Sequence, residues 1–219
     1  MLHPWIRRCR TAPVGAEYTH ATVAAPARVD KRQLLLDAAI RVFALKGYHA
    51  ARIGDIAKEA GVAYGLLYHY FASKEDVLET VFRDTWTAML DAIAGIEAAG
   101  GPAREQVRRV AAVVLGSWKL NPELVRVLVR EVARSPQLQN EIEEIRQAMD
   151  ALERIVRRGQ ETEEFRQSLN PRLAAWVVYG ALEEVLTGWV MGAPPDDDDD
   201  VAEAVQTVSA VVCDGLVLD

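Results

Sequence analysis

A chain of 219 residues, half of them hydrophobic, can bury a sizeable core as one large domain or two small ones, and two are expected. Its two cysteines, Cys9 and Cys213, offer neither a disulfide framework nor metal-ligand spacing, and no continuous apolar run reaches the roughly eighteen residues that cross a bilayer. The net charge of −7 would disfavour nucleic acid, but residues 1–82 hold 11 Lys and Arg against 8 Asp and Glu while the remainder holds 14 against 24, so a locally positive face remains available to phosphate.

Residues 1–29 carry three of the nine prolines and no sustained helical period, which predicts a flexible tail. Its Arg7, Arg8, Cys9, Arg10 cluster reads as a basic arm or as solvated charge. With no apolar leader core behind it, the expected compartment is the cytoplasm. Glu17 and His20 spell half of a di-iron helical motif, which needs a second copy on a packed helix, and none follows.

Asp30 can cap a helix running to about Lys46, with Leu34, Leu35, Ala38, Ala39, Val42 and Phe43 on its apolar face and Gly47 at its end. From Ile53 the apolar residues recur at Ile56, Ala57 and Ala60, and Gly61 stands where a left-handed cap is needed. Val62 then reads as a buried turn residue. A second short helix over 63–70 packs Leu67 and Phe71 inward and leaves Tyr64, Gly65, Tyr68 and His69 available. Two short helices joined by a glycine turn form a helix-turn-helix, whose second helix enters a major groove.

Ser73 with Asp76 is a capping box that opens a long helix through Val77, Leu78, Val81, Phe82, Trp86, Met89 and Ile93 to Gly100 and Gly101. Beyond it, Pro102, Asn121-Pro122, Ser135-Pro136 and Asn170-Pro171 mark helix starts. Helices are expected at about 102–120, 122–134, 137–166, 171–191 and 198–217. No alternating stretch demands a strand, so the fold class is all-α with about nine helices. The expected layout is a tail over 1–29, a helix-turn-helix domain over 30–75 and a ligand-binding and dimerisation domain over 76–219.

The stretch GDIAKEAGVAYGLLYHYFASKEDVLETVF resembles the signature of the TetR family of one-component bacterial repressors, over Lys31 to Phe82. Arg52 and Ala63 stand where that family favours a Ser or Thr cap, and Leu66 replaces a frequent Thr, so hydroxyls for capping or phosphate are missing. The resemblance implies a DNA-binding set of Arg52, Ala63, Tyr64, Gly65, Tyr68, His69 and Lys74. Tyr64 and Gly65 would approach base edges, and Tyr68, His69 and Lys74 would meet phosphates of double-stranded operator DNA. A cation such as Lys74 is unhelpful beside a helix N-terminus, whereas a phosphate there reverses the sign.

The last two expected helices are apolar over more than one stripe, and such a surface must meet the core or another subunit. In the resembled family they form a four-helix bundle with their twins, which implies a homodimer, with Val178, Leu182, Val185, Trp189, Val205, Val208 and Val212 expected at the interface. Asp196 to Asp200 read as a solvated loop, since calcium ligand spacing is absent.

Trp86, Met89, Trp118, Leu128, Trp176 and Tyr179 lie on helices that should converge, as core or as the lining of a cavity. The stretches NPELVRVLVREVARSPQLQNEI and GQETEEFRQSLNPRLAAWVVYGALEEVLTGWVM are similar to the FadR-type branch of the family, which controls fatty-acid degradation and senses long-chain acyl-CoA. That likeness implies a hydrophobic small-molecule effector such as a long-chain acyl-CoA. Arg104, Arg108, Arg109, Arg126 and Arg130 would then meet CoA phosphates or serve as helix-surface charge. There is no nucleophile elbow, P-loop or dinucleotide fingerprint, so no enzyme activity, cofactor, metal or membrane partner is expected. The alternatives are a repressor of an efflux or catabolic gene sensing another hydrophobic molecule, an all-α enzyme and an interaction module.

Overall fold

The structure is a computed structural model that describes residues 30–132 and 143–216, all of it helix, turn and loop with no strand among the described residues. The expected tail over 1–29 and the Ser135-Pro136 break lie outside them. The described residues form two compact units that divide between Asp84 and Thr85.

The first unit opens with α1, Lys31–Lys46. The Asp30 carboxylate accepts from the backbone N–H of Arg32 at 3.0 Å and Gln33 at 3.5 Å, supplying the cap expected of it. Leu35, Leu36, Ala38, Ala39, Ile40, Val42 and Phe43 are buried. Helix α2, Ile53–Glu59, starts without a capping hydroxyl at Arg52. Asp55 compensates by accepting from the Arg52 N–H at 3.0 Å while its other oxygen meets Lys46 Nζ at 2.8 Å, which ties the end of α1 to the start of α2. The Lys46 contact first, and then the Arg52 N–H, hold the Asp55 carboxyl below its ordinary range.

Gly61 takes φ +66°, and the Val62 N–H reaches back to the Ala57 carbonyl at 3.0 Å, so the turn closes as its glycine predicted. Helix α3, Tyr64–Tyr70, then buries Leu67, with Phe71 buried just past its end. Burying a leucine side chain contributes about 1.5–3 kcal/mol, enough to fix which face of so short a helix points inward. Helix α4, Lys74–Ala99, begins in this unit and ends in the next. Its first turn is capped by Ser73 Oγ, which accepts from the Asp76 N–H at 3.2 Å, and the Asp76 carboxylate accepts from the Ala72 N–H at 2.8 Å.

The second unit adds α5 (Ala103–Leu120), α6 (Pro122–Val132), α7 (Glu143–Glu161), α8 (Pro171–Met191) and α9 (Asp198–Leu216). Asn121 and Asn170 cap as expected, accepting from Leu124 N at 2.9 Å and from Arg172 N and Leu173 N at 3.0 and 3.1 Å. The core gathers Val107, Val110 and Leu115 of α5, Leu152 and Ile155 of α7, Val178 and Leu182 of α8, and Val201 and Cys213 of α9. Glu97 joins α4 to α7 through Arg154 at 2.8 Å and Arg158 at 3.4 Å. Asp198, in the acidic run, meets Lys119 at 3.1 Å, and Asp197 caps α9 by accepting from Asp199 N and Asp200 N.

Helix α7 stops at Glu161, short of the expected residue 166. Glu163 takes φ +61°, which breaks the helix, and the Phe165 N–H turns back to the Gly159 carbonyl at 2.9 Å. The Phe165 ring lies so close over Gly159 that a Cβ there would sit 2.3 Å from its Cδ2. A second correction concerns α8, which by length and composition is long and apolar enough to cross a membrane, although only 22% of that window is buried within the protein. Glu183 and Glu184 interrupt the apolar run without lowering its average enough, and the helix packs on the core through Ala174, Ala175, Val178 and Leu182.

Candidate nucleic-acid interface

The outward face of α3 is aromatic. Tyr64 is 57% and Tyr68 49% exposed, one helical turn apart, with ring centroids at 5.6 Å, planes at 63° and hydroxyl oxygens at 3.3 Å. The hydrogen bond with Tyr64, followed by desolvation, raises the Tyr68 hydroxyl above its ordinary pKa. Gly65 is exposed, and a Cβ at that position would meet nothing within 4 Å. His69 lies edge-on to Tyr70, centroids 5.1 Å apart. Arg52 and Ala63 are exposed at the residues preceding α2 and α3. Tyr64, Gly65, Tyr68 and His69 therefore all lie on the solvent side of α3, opposite buried Leu67.

Lys74 is placed differently. Its ammonium donates to the carbonyls of Tyr48 at 2.8 Å, Ala51 at 3.1 Å and His49 at 3.5 Å, and it lies 4.3 Å from the centroid of the Tyr48 ring. An ammonium has three protons to give, and three carbonyls of the α1–α2 loop face it. The Tyr48 hydroxyl in turn donates to Glu75 Oε1 at 2.8 Å and holds that carboxyl below its ordinary range. Lys74 thus fastens residues 48–51 to the head of α4, a role that spacing alone did not reveal.

In the second unit the residues expected to line a cavity divide. Trp118 of α5 is buried, edge-on to Trp189 of α8 at 5.7 Å, and the Arg126 guanidinium lies 5.2 Å from its ring centroid. Trp86 and Met89 pack half-buried against the core, Leu128 is half-buried and Arg130 is exposed. Trp176 turns outward, 52% exposed, with Tyr179 6.4 Å away. Tyr179 is hard to deprotonate because it is desolvated and lies beside Glu183. Two of the arginines expected at CoA phosphates share one carboxylate. Arg108 and Arg109 lie 2.7 and 3.0 Å from Glu105, and together, Arg108 foremost, they hold its carboxyl at about 2. Arg104 is paired with Asp214.

The expected interface set divides as well. Val178, Leu182, Val205 and Val212 are buried in the core of their own chain and leave almost no surface for a partner, while Val185, Trp189 and Val208 pack half-buried against that core. The uncovered apolar stripe on α8 is instead Leu173, Trp176, Val177 and Met191, continued by Val211 on α9. A helix apolar on several stripes does not announce which one its own core takes; Leu173, Val177 and Val211 belong to the apolar repeats of these helices but not to the expected interface set.

Residues 35–81 match the bacterial regulatory proteins of the tetR family, and residues 82–215 match the C-terminal region of YsiA-like proteins. The chain is similar to the fatty acid metabolism regulator protein of Bacillus subtilis (strain 168), 31% identical over 163 residues, 74% of this chain and 84% of that one. Its structure resembles that of the fatty acid degradation regulator FadR from Bacillus halodurans, with a TM-score of 0.77, 29% identity and coverage of 87% of this chain and 98% of that one. FadR from Bacillus subtilis, solved in complex with stearoyl-CoA, gives a TM-score of 0.75 and 28% identity over 84% of this chain and 98% of that one. A helix-turn-helix with an exposed aromatic face, joined to a second helical unit and matched along nearly the whole of its described length, belongs to the tetR family of bacterial regulatory proteins, and the chain is a ligand-responsive, DNA-binding regulator.

Proposed function

We propose that the protein is a homodimeric cytoplasmic repressor that a long-chain acyl-CoA releases from its operator. The observation that carries the effector class is the similarity to a regulator solved with stearoyl-CoA, which extends over 84% of this chain. On this reading residues 30–75 bind DNA and residues 76–219 bind effector and partner. Tyr64 and Gly65 face base edges, and Tyr68 and His69 face phosphates, which set affinity more than sequence preference. Trp118, Trp189 and Arg126 combine apolar surface with one fixed cation, a fit for an amphiphilic anion. The uncovered stripe of Leu173, Trp176, Val177 and Val211 is covered by a second copy of the chain, since a palindromic operator needs two readers.

The test is a titration of a protein–operator complex with stearoyl-CoA and, separately, with free CoA. Release by stearoyl-CoA alone is expected, because the acyl chain supplies the apolar area. Equal release by both, or by neither, would leave a family regulator answering to a different hydrophobic molecule.

A further inference from the structure

We infer that Tyr64 is a specificity-determining residue that reads the 5-methyl group of a thymine through the edge of its ring. The inference rests on the DNA-binding role proposed for α3 and names what that face recognises.

The first residues of a recognition helix are those that meet base edges. Here Gly65 has no side chain and Ala63 has a single methyl group, so Tyr64 supplies the reach. The bidentate readers of guanine and adenine are Arg, Lys, Asn and Gln, and the sequence of α3, YGLLYHY, contains none of them. The one polar atom of Tyr64 is engaged, since its hydroxyl oxygen lies 3.3 Å from that of Tyr68. Either hydroxyl can donate in this pair, and the bond ties the Tyr64 oxygen to its own helix rather than to a base.

What Tyr64 offers the groove is therefore an apolar ring, and the apolar group that base pairs display there is the thymine methyl. The ring is also held in place. It stands edge-on to Tyr68 at 5.6 Å, and it lies beside Gly54, where an added Cβ would be in van der Waals contact at 3.8 Å from Tyr64 Cε2.

The experiment uses the full-length protein and duplexes that it selects from a random library. Thymines of a selected duplex are replaced one at a time by uracil, which removes the methyl group and leaves the hydrogen-bond pattern intact. Wild type is expected to lose about fourfold in affinity at one position per half-site, the factor that burial of one methyl contributes. Tyr64→Ala should bind the thymine and uracil duplexes equally, Tyr64→Phe should still discriminate, and Tyr68→Phe should weaken both alike. Wild type indifferent to every replacement, or Tyr64→Ala that still discriminates, overturns the inference and leaves DNA binding intact. Failure to select any duplex overturns the DNA-binding role of α3 and the inference with it.

Discussion

Lys74 stands where a cation opposes the partial positive charge of the helix it begins, and three carbonyls and the face of Tyr48 compensate for that placement. Lys74→Met keeps the stem and removes the charge, so it should lower the unfolding free energy of the protein by about 1.5–3 kcal/mol, the range for hydrogen bonds to a charged group. A denaturant melt followed by a salt titration of DNA binding separates the two roles of this residue. Loss of stability with an unchanged salt slope assigns Lys74 to the loop, whereas a slope lower by about 0.9 at unchanged stability assigns it to a phosphate. Gly159→Ala places a methyl 2.3 Å from Phe165 Cδ2 and 2.8 Å from Ala103 Cβ, and should cost about 1–3 kcal/mol in the same melt through overpacking. Glu105, depressed from 4.5 to about 2 by Arg108 and Arg109, stabilises the fold above its ordinary range and loses that contribution as pH falls through about 2. It is partly solvent-screened, so Glu105→Gln should flatten the acid limb of a stability–pH curve between those values by under about 1 kcal/mol.

At the scale of the element, α8 shows two apolar faces with different fates. One, through Ala174, Ala175, Val178 and Leu182, is buried in its own core; the other, through Leu173, Trp176 and Val177, is 52–64% exposed. A charge on each face should therefore do different damage. Trp176→Glu is expected to weaken association by at least a hundredfold, since the complex would desolvate one unpaired carboxylate per chain, while the helical content of the protomer stays intact. Val178→Asp buries the same charge within the protomer and should unfold it. Sedimentation velocity with circular dichroism distinguishes the cases, and a Trp176→Glu protein that remains dimeric at micromolar concentration would reject this stripe as the interface.

The whole molecule shares one continuous helix, α4, which begins at Lys74 in the first unit and ends at Ala99 in the second. Two recognition helices must meet adjacent major grooves about 34–36 Å apart, so an effector that prefers a differently spaced dimer releases DNA without touching it. If stearoyl-CoA weakens operator binding a hundredfold, the coupling is about 2.7 kcal/mol, and saturating operator must weaken stearoyl-CoA binding by the same factor. Isothermal titration of stearoyl-CoA into free and operator-bound protein measures this. Unequal factors would place a second effector site outside the linkage.

The sequence by itself determined most helix boundaries and the turn, because each follows from local chemistry, and its likeness to the TetR signature pointed to the family. Asp30, Asn121 and Asn170 cap their own neighbours, Gly61 alone among its neighbours adopts φ +66° without strain, and the spacing of Ile56, Ala57 and Ala60 marks an inward face. The tertiary structure decided everything that depends on competition between equivalent groups. Lys74 had a phosphate and three distant carbonyls as prospective partners, 23 to 26 residues away in the chain, and local spacing carries no information about the latter. More than one stripe of α8 is apolar, so which one became core depended chiefly on where α7 came to rest against it. The end of α7 was set by Phe165 folding back over Gly159, a contact whose two halves are each unremarkable alone. Burial and pairing are properties of the packed chain, and a residue's type constrains them without selecting among neighbours of the same kind.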